Sequence, residues 1–255
     1  DEVLAAAGFV RREHSVQPPQ DVNEFHYLGD AGQLMVEIHW ELLPPDYPFR
    51  LDVEAMWAKA LPVRIAGAEA LAFAPEDQLI HLGVHAAIHR FGFGLRSLCD
   101  IAELVAKIPV DGSLLVERAV KMGVMRSVGV SLVLARDLLR AAVPADVIEA
   151  LLPVMPGESL WREARSTVLG NTRQGVDGSR PNPNLVLFVG CKRWRDRFVL
   201  LRRRLFPTRQ MMAALYPVAV DSPRVWFYYP RVQATLVRRN LPALLAFVAE
   251  RRLAS

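Results

Sequence analysis

Residues 73–92, FAPEDQLIHLGVHAAIHRFG, mark the point where this 255-residue chain changes character. Pro75 suits the first turn of a helix, Glu76 and Asp77 complement the positive end of its dipole, and Gly92 is placed to close it. Ile80, Val84, Ala87, Ile88 and Phe91 make an apolar stripe at helical spacing, bordered by His81, His85 and His89 at i, i+4 and i+8. Helical periodicity continues in GLRSLCDIAELVAK (94–107), SLLVERAVKMG (113–123) and VMRSVGVSLVLARDLLRAA (124–142). In the last of these Val128, Leu132, Ala135 and Leu139 share one face. Upstream, the pattern is that of short strands, so the predicted class is α+β: a small sheet, then a mostly helical bundle.

The upstream part begins with EVLAAAG (2–8), a short helix ending at Gly8, and FVRREH (9–14), a candidate strand. NEFHYLGD (23–30) and QLMVEIHWEL (33–42) read as two strands joined at Asp30-Ala31-Gly32, a hairpin signal. Strand side chains alternate between faces. Leu34, Val36, Ile38, Trp40 and Leu42 therefore share the face expected to pack, while Met35, Glu37, His39 and Glu41 share the other. A proline-rich connector (42–49) precedes DVEAMWAKAL (52–61), with Asp52 as N-cap. PVRIAGAEALAF (62–73) reads as a second hairpin turning at Ala66-Gly67. Turn signals crowd residues 170–184. The expected organisation is an α/β region over 1–73, a helical bundle over 74–170, a linker over 171–184 and a basic helical region over 185–255.

Composition limits the function classes. With 52% hydrophobic residues the chain can bury a core, and no apolar run reaches the ~20 residues of a membrane span. No signal-peptide pattern opens it, and Cys99 and Cys191 lack metal-ligand spacing, which predicts a reduced, cytoplasmic setting. The net charge of +4 is unevenly spread, with 14 basic against 3 acidic residues from Asn182 onward. This asymmetry reads either as the wet faces of helices or as an anionic contact, a membrane surface or nucleic acid, through residues 192–204. No phosphate-binding glycine loop and no Gly-x-Ser-x-Gly occurs. No Glu follows His81 or His85, so the zinc-protease signature is absent. The three histidines read as boundary residues satisfied by hydrogen bonds or as phosphate contacts.

Taken in order, VEIHWEL (36–42), FAPEDQLIHLGVHAAIHRFGFGLRSLCDIAELV (73–105), SLLVERAVKMGVMRSVGVSLVLARDLL (113–139) and, more loosely, FPTRQMMAALYP (206–217) resemble the uncharacterised nucleotidyltransferase family of the polymerase-beta superfamily. The resemblance implies a mixed sheet flanked by helices, then a helical domain. It implies nucleotidyl transfer from a nucleoside triphosphate to a small-molecule or protein acceptor, with two Mg²⁺ ions held by a D-x-D pair and a third carboxylate. Two ions about 3.5–4 Å apart clamp the attacking and leaving oxygens. By motif position Glu37 matches that third carboxylate, with Glu in place of the commoner Asp, and is the expected metal ligand. His39 shares its face, which makes Glu37 and His39 the expected catalytic residues. His85, His89, Arg96 and Asp100 are expected around the nucleotide, with the Arg96 guanidinium suited to phosphate and Asp100 at i+4 to orient it. The bland alternative is an ordinary exposed pair. The D-x-D strand is expected ahead of Asp1, so residues 1–255 alone are predicted not to transfer nucleotide. The rival functions are a non-catalytic binding or regulatory module on the same fold, and a peripheral binder acting through the basic region.

Overall fold

The computed structural model describes residues 1–12, 24–43, 51–89, 91–153, 158–170 and 194–238. Within them the chain is α+β, with small antiparallel sheets and a majority of helix. The linker expected at 171–184, and with it Lys192 and Arg193 of the basic stretch, lies outside the described residues. The chain divides into two units, Asp1–Val53 with Phe198–Ala234 and Glu54–Arg197 with Thr235–Ser255. This division differs from the boundary expected at residue 73, because the second hairpin falls with the helices.

In the first unit α1 (Glu2–Ala6) runs to Gly8 at φ 83°, the left-handed stop its glycine permits. β1 (Val10–Arg12), β2 (Glu24–Gly29) and β3 (Leu34–His39) form a three-stranded antiparallel sheet in that order. β2 and β3 are joined at Asp30–Gly32 as expected, with Asp30, Ala31 and Gly32 all at positive φ. The face of β3 expected to pack does not do so. Leu34, Ile38 and Trp40 are 55%, 45% and 44% exposed. Alternation decides which side chains share a face, whereas covering that face takes a second layer. Here the Phe25 ring lies 4.6 Å from that of Trp40, and the Arg11 guanidinium sits 3.5 Å over Phe25. Tyr27 is buried, and its hydroxyl donates to the Asp1 carboxylate.

The C-terminal part contains α9 (Trp194–Leu205), α10 (Arg209–Leu215), a tight 3₁₀ segment (Pro223–Tyr228) and α11 (residues 229–238). Met212, Val225 and Tyr229 make a small core, flanked by Tyr216, Val218, Tyr228 and Val232. The buried Tyr229 hydroxyl donates to Pro207 O at 2.7 Å, satisfying its one polar atom. Trp194 and Phe198, spaced as a core face, are instead 74% and 53% exposed. The i, i+4 spacing puts them on one face of α9 but does not supply a layer to cover it.

The second unit opens with α2 (Val53–Trp57) and the hairpin of β4 (Leu61–Ile65) and β5 (Ala68–Ala72). Its two-residue turn holds Ala66 at φ 50° and Gly67 at φ 87°, and Arg64 Nε donates to Gly67 O at 3.2 Å. The helices follow as α3 (Pro75–Ile88), α4 (Leu95–Lys107), α5 (Gly112–Lys121), α6 (Met125–Leu139), α7 (Ala145–Leu151) and α8 (Glu158–Leu169). Every residue of α6 from Ser127 to Ala135 is buried, so α6 is a central helix rather than one with a single packed face. α3 approaches it closely at Gly83, where a Cβ would meet Val128 Cα at 3.0 Å. There the buried Ser131 hydroxyl donates to Gly83 O and Ser127 O, both at 2.9 Å. Asp111 caps α5 by accepting from Ser113 N and Leu114 N. Hydrogen bonds from the Ser113 side chain and the Leu114 backbone hold its carboxyl below the usual range.

Two local expectations change at α3. The helix ends at Ile88, and Phe91 rather than Gly92 takes the left-handed conformation, at φ 56°. Phe91 is 1% exposed. Burying its ring stabilises by about 1.5–3 kcal/mol and offsets the roughly 1–2 kcal/mol cost of the backbone conformation. Glu76 and Asp77 do more than face the dipole. Both are buried against α5, where Arg118 Nη1 lies 2.7 Å from Asp77 Oδ2 and Glu76 Oε1 accepts the Asp111 N–H at 2.9 Å. Neither Asp77 oxygen has a hydrogen bond of good geometry, so the Asp77–Arg118 contact is charge against charge and not a directed fork.

Candidate metal centre

Antiparallel register builds the site. β2 and β3 pair with Glu24 opposite His39 and His26 opposite Glu37. Opposed residues of an antiparallel pair point to the same face, so two carboxylates and two imidazoles meet there in alternation. His39 Nε2 lies 2.9 Å from Glu24 Oε2 and 3.5 Å from Glu37 Oε2. His26 Nε2 lies 3.1 Å from Glu24 Oε1 and 3.8 Å from Glu37 Oε1. Each imidazole thus faces both carboxylates. Arg12 stands opposite His26 in β1, which adds an exposed guanidinium to the same face.

Ligand atoms of Glu24, Glu37 and His39 all lie within 4.8 Å of one another. Ligands bonded to a divalent ion at about 2.1 Å sit roughly 3.4 Å apart in a tetrahedral shell. Small side-chain movements therefore close this group on one cation, and the donor set fits a single divalent ion. A pair of Mg²⁺ ions, which the sequence resemblance implies, needs more hard oxygen ligands than these two carboxylates provide, and the resemblance expects the others, the D-x-D pair, ahead of Asp1. Among the described residues, Glu24, Glu37 and His39 form the one group of donors this close together.

Glu37 and His39, expected from sequence, are brought together here. Glu24 and His26 were missed. Their signal is visible once the hairpin is accepted: E-F-H at 24–26 and E-I-H at 37–39 repeat one pattern on either side of the turn. The other expected site residues lie in the second unit. His85 is half-buried and His89 exposed, with ring centroids 4.4 Å apart, and Phe93 stacks on His85 at 5.8 Å and lies 4.8 Å from His89. Arg96 and Asp100 are exposed on α4. Among the described residues no ion pair joins them, so the orienting contact expected at i+4 is not made.

No described helix is long and apolar enough to cross a membrane. Comparison with curated proteins finds no significant match, and neither does comparison with solved structures. A family model described as an uncharacterised nucleotidyltransferase matches residues 1–140, which takes in the hairpin with its carboxylate–imidazole face and helices α3 to α6. With more than half of its length matched, and with the ordered motifs standing on the elements just described, the chain belongs to the uncharacterised nucleotidyltransferase family.

Proposed function

We propose that this protein transfers a nucleotidyl group from a nucleoside triphosphate to a small-molecule or protein acceptor, with the face of β2 and β3 holding a divalent cation. The observation that carries the reading is the convergence of Glu24, Glu37 and His39 inside the family-matched segment. The cation, Mg²⁺ by the resemblance, would polarise a phosphate oxygen and neutralise its charge. Glu37 and Glu24 supply the anionic ligands. His39 keeps them apart and oriented through its 2.9 Å contact with Glu24. Arg12, exposed on the same face, suits a phosphate oxygen pair through its fork of N–H donors.

In the second unit we assign nucleotide contacts to Arg96, His85 and His89, with Asp100 near Arg96 on the same helix. Support comes from the exposed guanidinium and from the ring stack with Phe93, which resembles a platform for a planar group. The exposed free thiol of Cys99 accords with a reducing, cytoplasmic location. The test is transfer from a labelled triphosphate by the full encoded protein, including any residues ahead of Asp1. Glu37→Gln is expected to lower transfer about 100-fold while leaving the circular dichroism spectrum unchanged. Transfer at the parent level in that variant removes Glu37 from the chemistry.

One observation favours a second reading. The described side chains of α9 include exposed Trp194, Phe198 and Leu201 beside exposed Arg195 and Arg202. An amphipathic helix of this kind suits an anionic surface.

A further inference from the structure

We infer that the 3₁₀ segment Pro223–Tyr228 is a membrane-contact element, in which Trp226 and Phe227 enter the interface of an anionic lipid bilayer and Arg209, Arg224 and Arg231 meet its headgroups. The inference is independent of the transfer reaction, and it adds a second element to the anionic-surface reading of α9.

The geometry follows from the helix type. A 3₁₀ helix has three residues per turn, so side chains at i and i+3 lie over one another. Val225 and Tyr228 share the inward line. Val225 is fully buried, and Tyr228 packs against the same small core and stacks on Tyr216 at 4.6 Å. Arg224 and Phe227 share an outward line, and both are exposed. Trp226 shares the third line with Tyr229, whose ring stacks on it at 5.2 Å. Phe227 is 79% exposed and Trp226 57% exposed. The segment is anchored at both ends. Ser222 Oγ accepts the Arg224 N–H at 3.3 Å, and the Tyr229 hydroxyl donates to Pro207 O at 2.7 Å. An anchored turn thus presents two large rings outward, where they add nothing to the core.

Charge selects the partner. The Arg209 guanidinium lies 5.4 Å over the Trp226 ring, and that of Arg231 lies 5.5 Å over the Tyr228 ring. With Arg224 they make three cations over residues 206–234, against one carboxylate, that of Asp221. Aromatic rings of this kind settle at the headgroup level of a bilayer, and neighbouring guanidiniums pair with lipid phosphate oxygens. A single-stranded nucleic acid would instead need an open ring face on which to stack its bases. On Trp226 the ring face carries Tyr229 and Arg209.

The experiment is co-sedimentation of the full protein with phosphatidylserine–phosphatidylcholine vesicles, with pure phosphatidylcholine vesicles as the neutral arm. Binding is expected to the anionic vesicles, and at least about 10-fold more weakly to the neutral ones. Phe227→Ser is expected to weaken binding at least about 10-fold, by removing one buried ring from the interface. Arg224→Glu with Arg231→Glu is expected to weaken it at least about 25-fold, at roughly fivefold for each charge. Ile65→Ser, at a 64% exposed position of β4, is expected to leave binding unchanged. Trp226→Phe is expected to keep the binding but to reduce the quenching of tryptophan fluorescence by brominated lipid. Circular dichroism of each variant separates lost contact from unfolding. Equal binding to both kinds of vesicle overturns the inference, as does full affinity in Phe227→Ser or quenching unchanged in Trp226→Phe. Loss of binding in Arg195→Glu with Arg202→Glu, and none in Phe227→Ser, would place the contact on α9 alone. Preference for single-stranded RNA over anionic vesicles overturns the inference too, as does a lipid-free dimer that Phe227→Ser abolishes.

Discussion

At the scale of single residues, a costly arrangement among the described residues is the buried contact of Asp77 with Arg118. Asp77 is 1% exposed and Arg118 9% exposed. Removing one member leaves the other charged and unpaired in the interior, which typically costs about 3–5 kcal/mol. Arg118→Met is therefore expected to destabilise the protein by about that much in urea unfolding. Adding Asp77→Leu to it is expected to recover most of the loss, because an apolar pair replaces a desolvated ionic one. Full loss in the double variant would show that the pair is needed for packing and not merely matched in charge. The acidic residues at the start of α3 were legible as helix-start signals. Their burial was not, since Arg118 is 41 residues away in sequence and nothing local announces it. The residues of the candidate metal centre differ in this respect. Glu24 and His26 were readable, because hairpin register follows from the position of the turn, and each strand carries the same E-x-H.

At the scale of elements, both hairpins turn where Asp30-Ala31-Gly32 and Ala66-Gly67 predicted, yet each asks a left-handed conformation of an alanine. In the β4–β5 turn Ala66 sits at φ 50° before Gly67 at φ 87°. Asn visits this region several-fold more readily than Ala. Ala66→Asn is expected to stabilise the protein by about 0.5–1 kcal/mol, part of the roughly 1–2 kcal/mol that the conformation costs Ala. Thermal unfolding is the measurement, and a rise of about 1–4 °C is expected. An unchanged or lower midpoint would show that the Ala66 methyl is already matched to its surroundings. Helix ends were less legible. Gly92 is the better left-handed residue by chemistry, but the Phe91 ring is the one the core accepts, and packing outweighs local preference there.

At the scale of the whole molecule, the basic residues gather in the C-terminal region. α9 exposes Trp194 and Phe198 beside Arg195 and Arg202. Sedimentation with anionic vesicles is expected to show binding at low salt that falls as ionic strength passes about 0.15 M, where screening acts within roughly 8 Å. Arg195→Glu with Arg202→Glu is expected to abolish it. Vesicle binding unchanged by that pair would exclude the face, and single-stranded RNA binding without vesicle binding would turn the region toward nucleic acid. The sequence by itself determined the class, the order of elements, both hairpins and the pairing of Glu37 with His39, because helix and strand periodicity and turn chemistry are properties of neighbours along the chain. Tertiary structure alone decided that α6 is buried on every side, that Asp77 answers Arg118, and that the apolar faces of β3 and α9 stay exposed. Those outcomes depend on which layer comes to lie against which face, and contacts between distant segments set that.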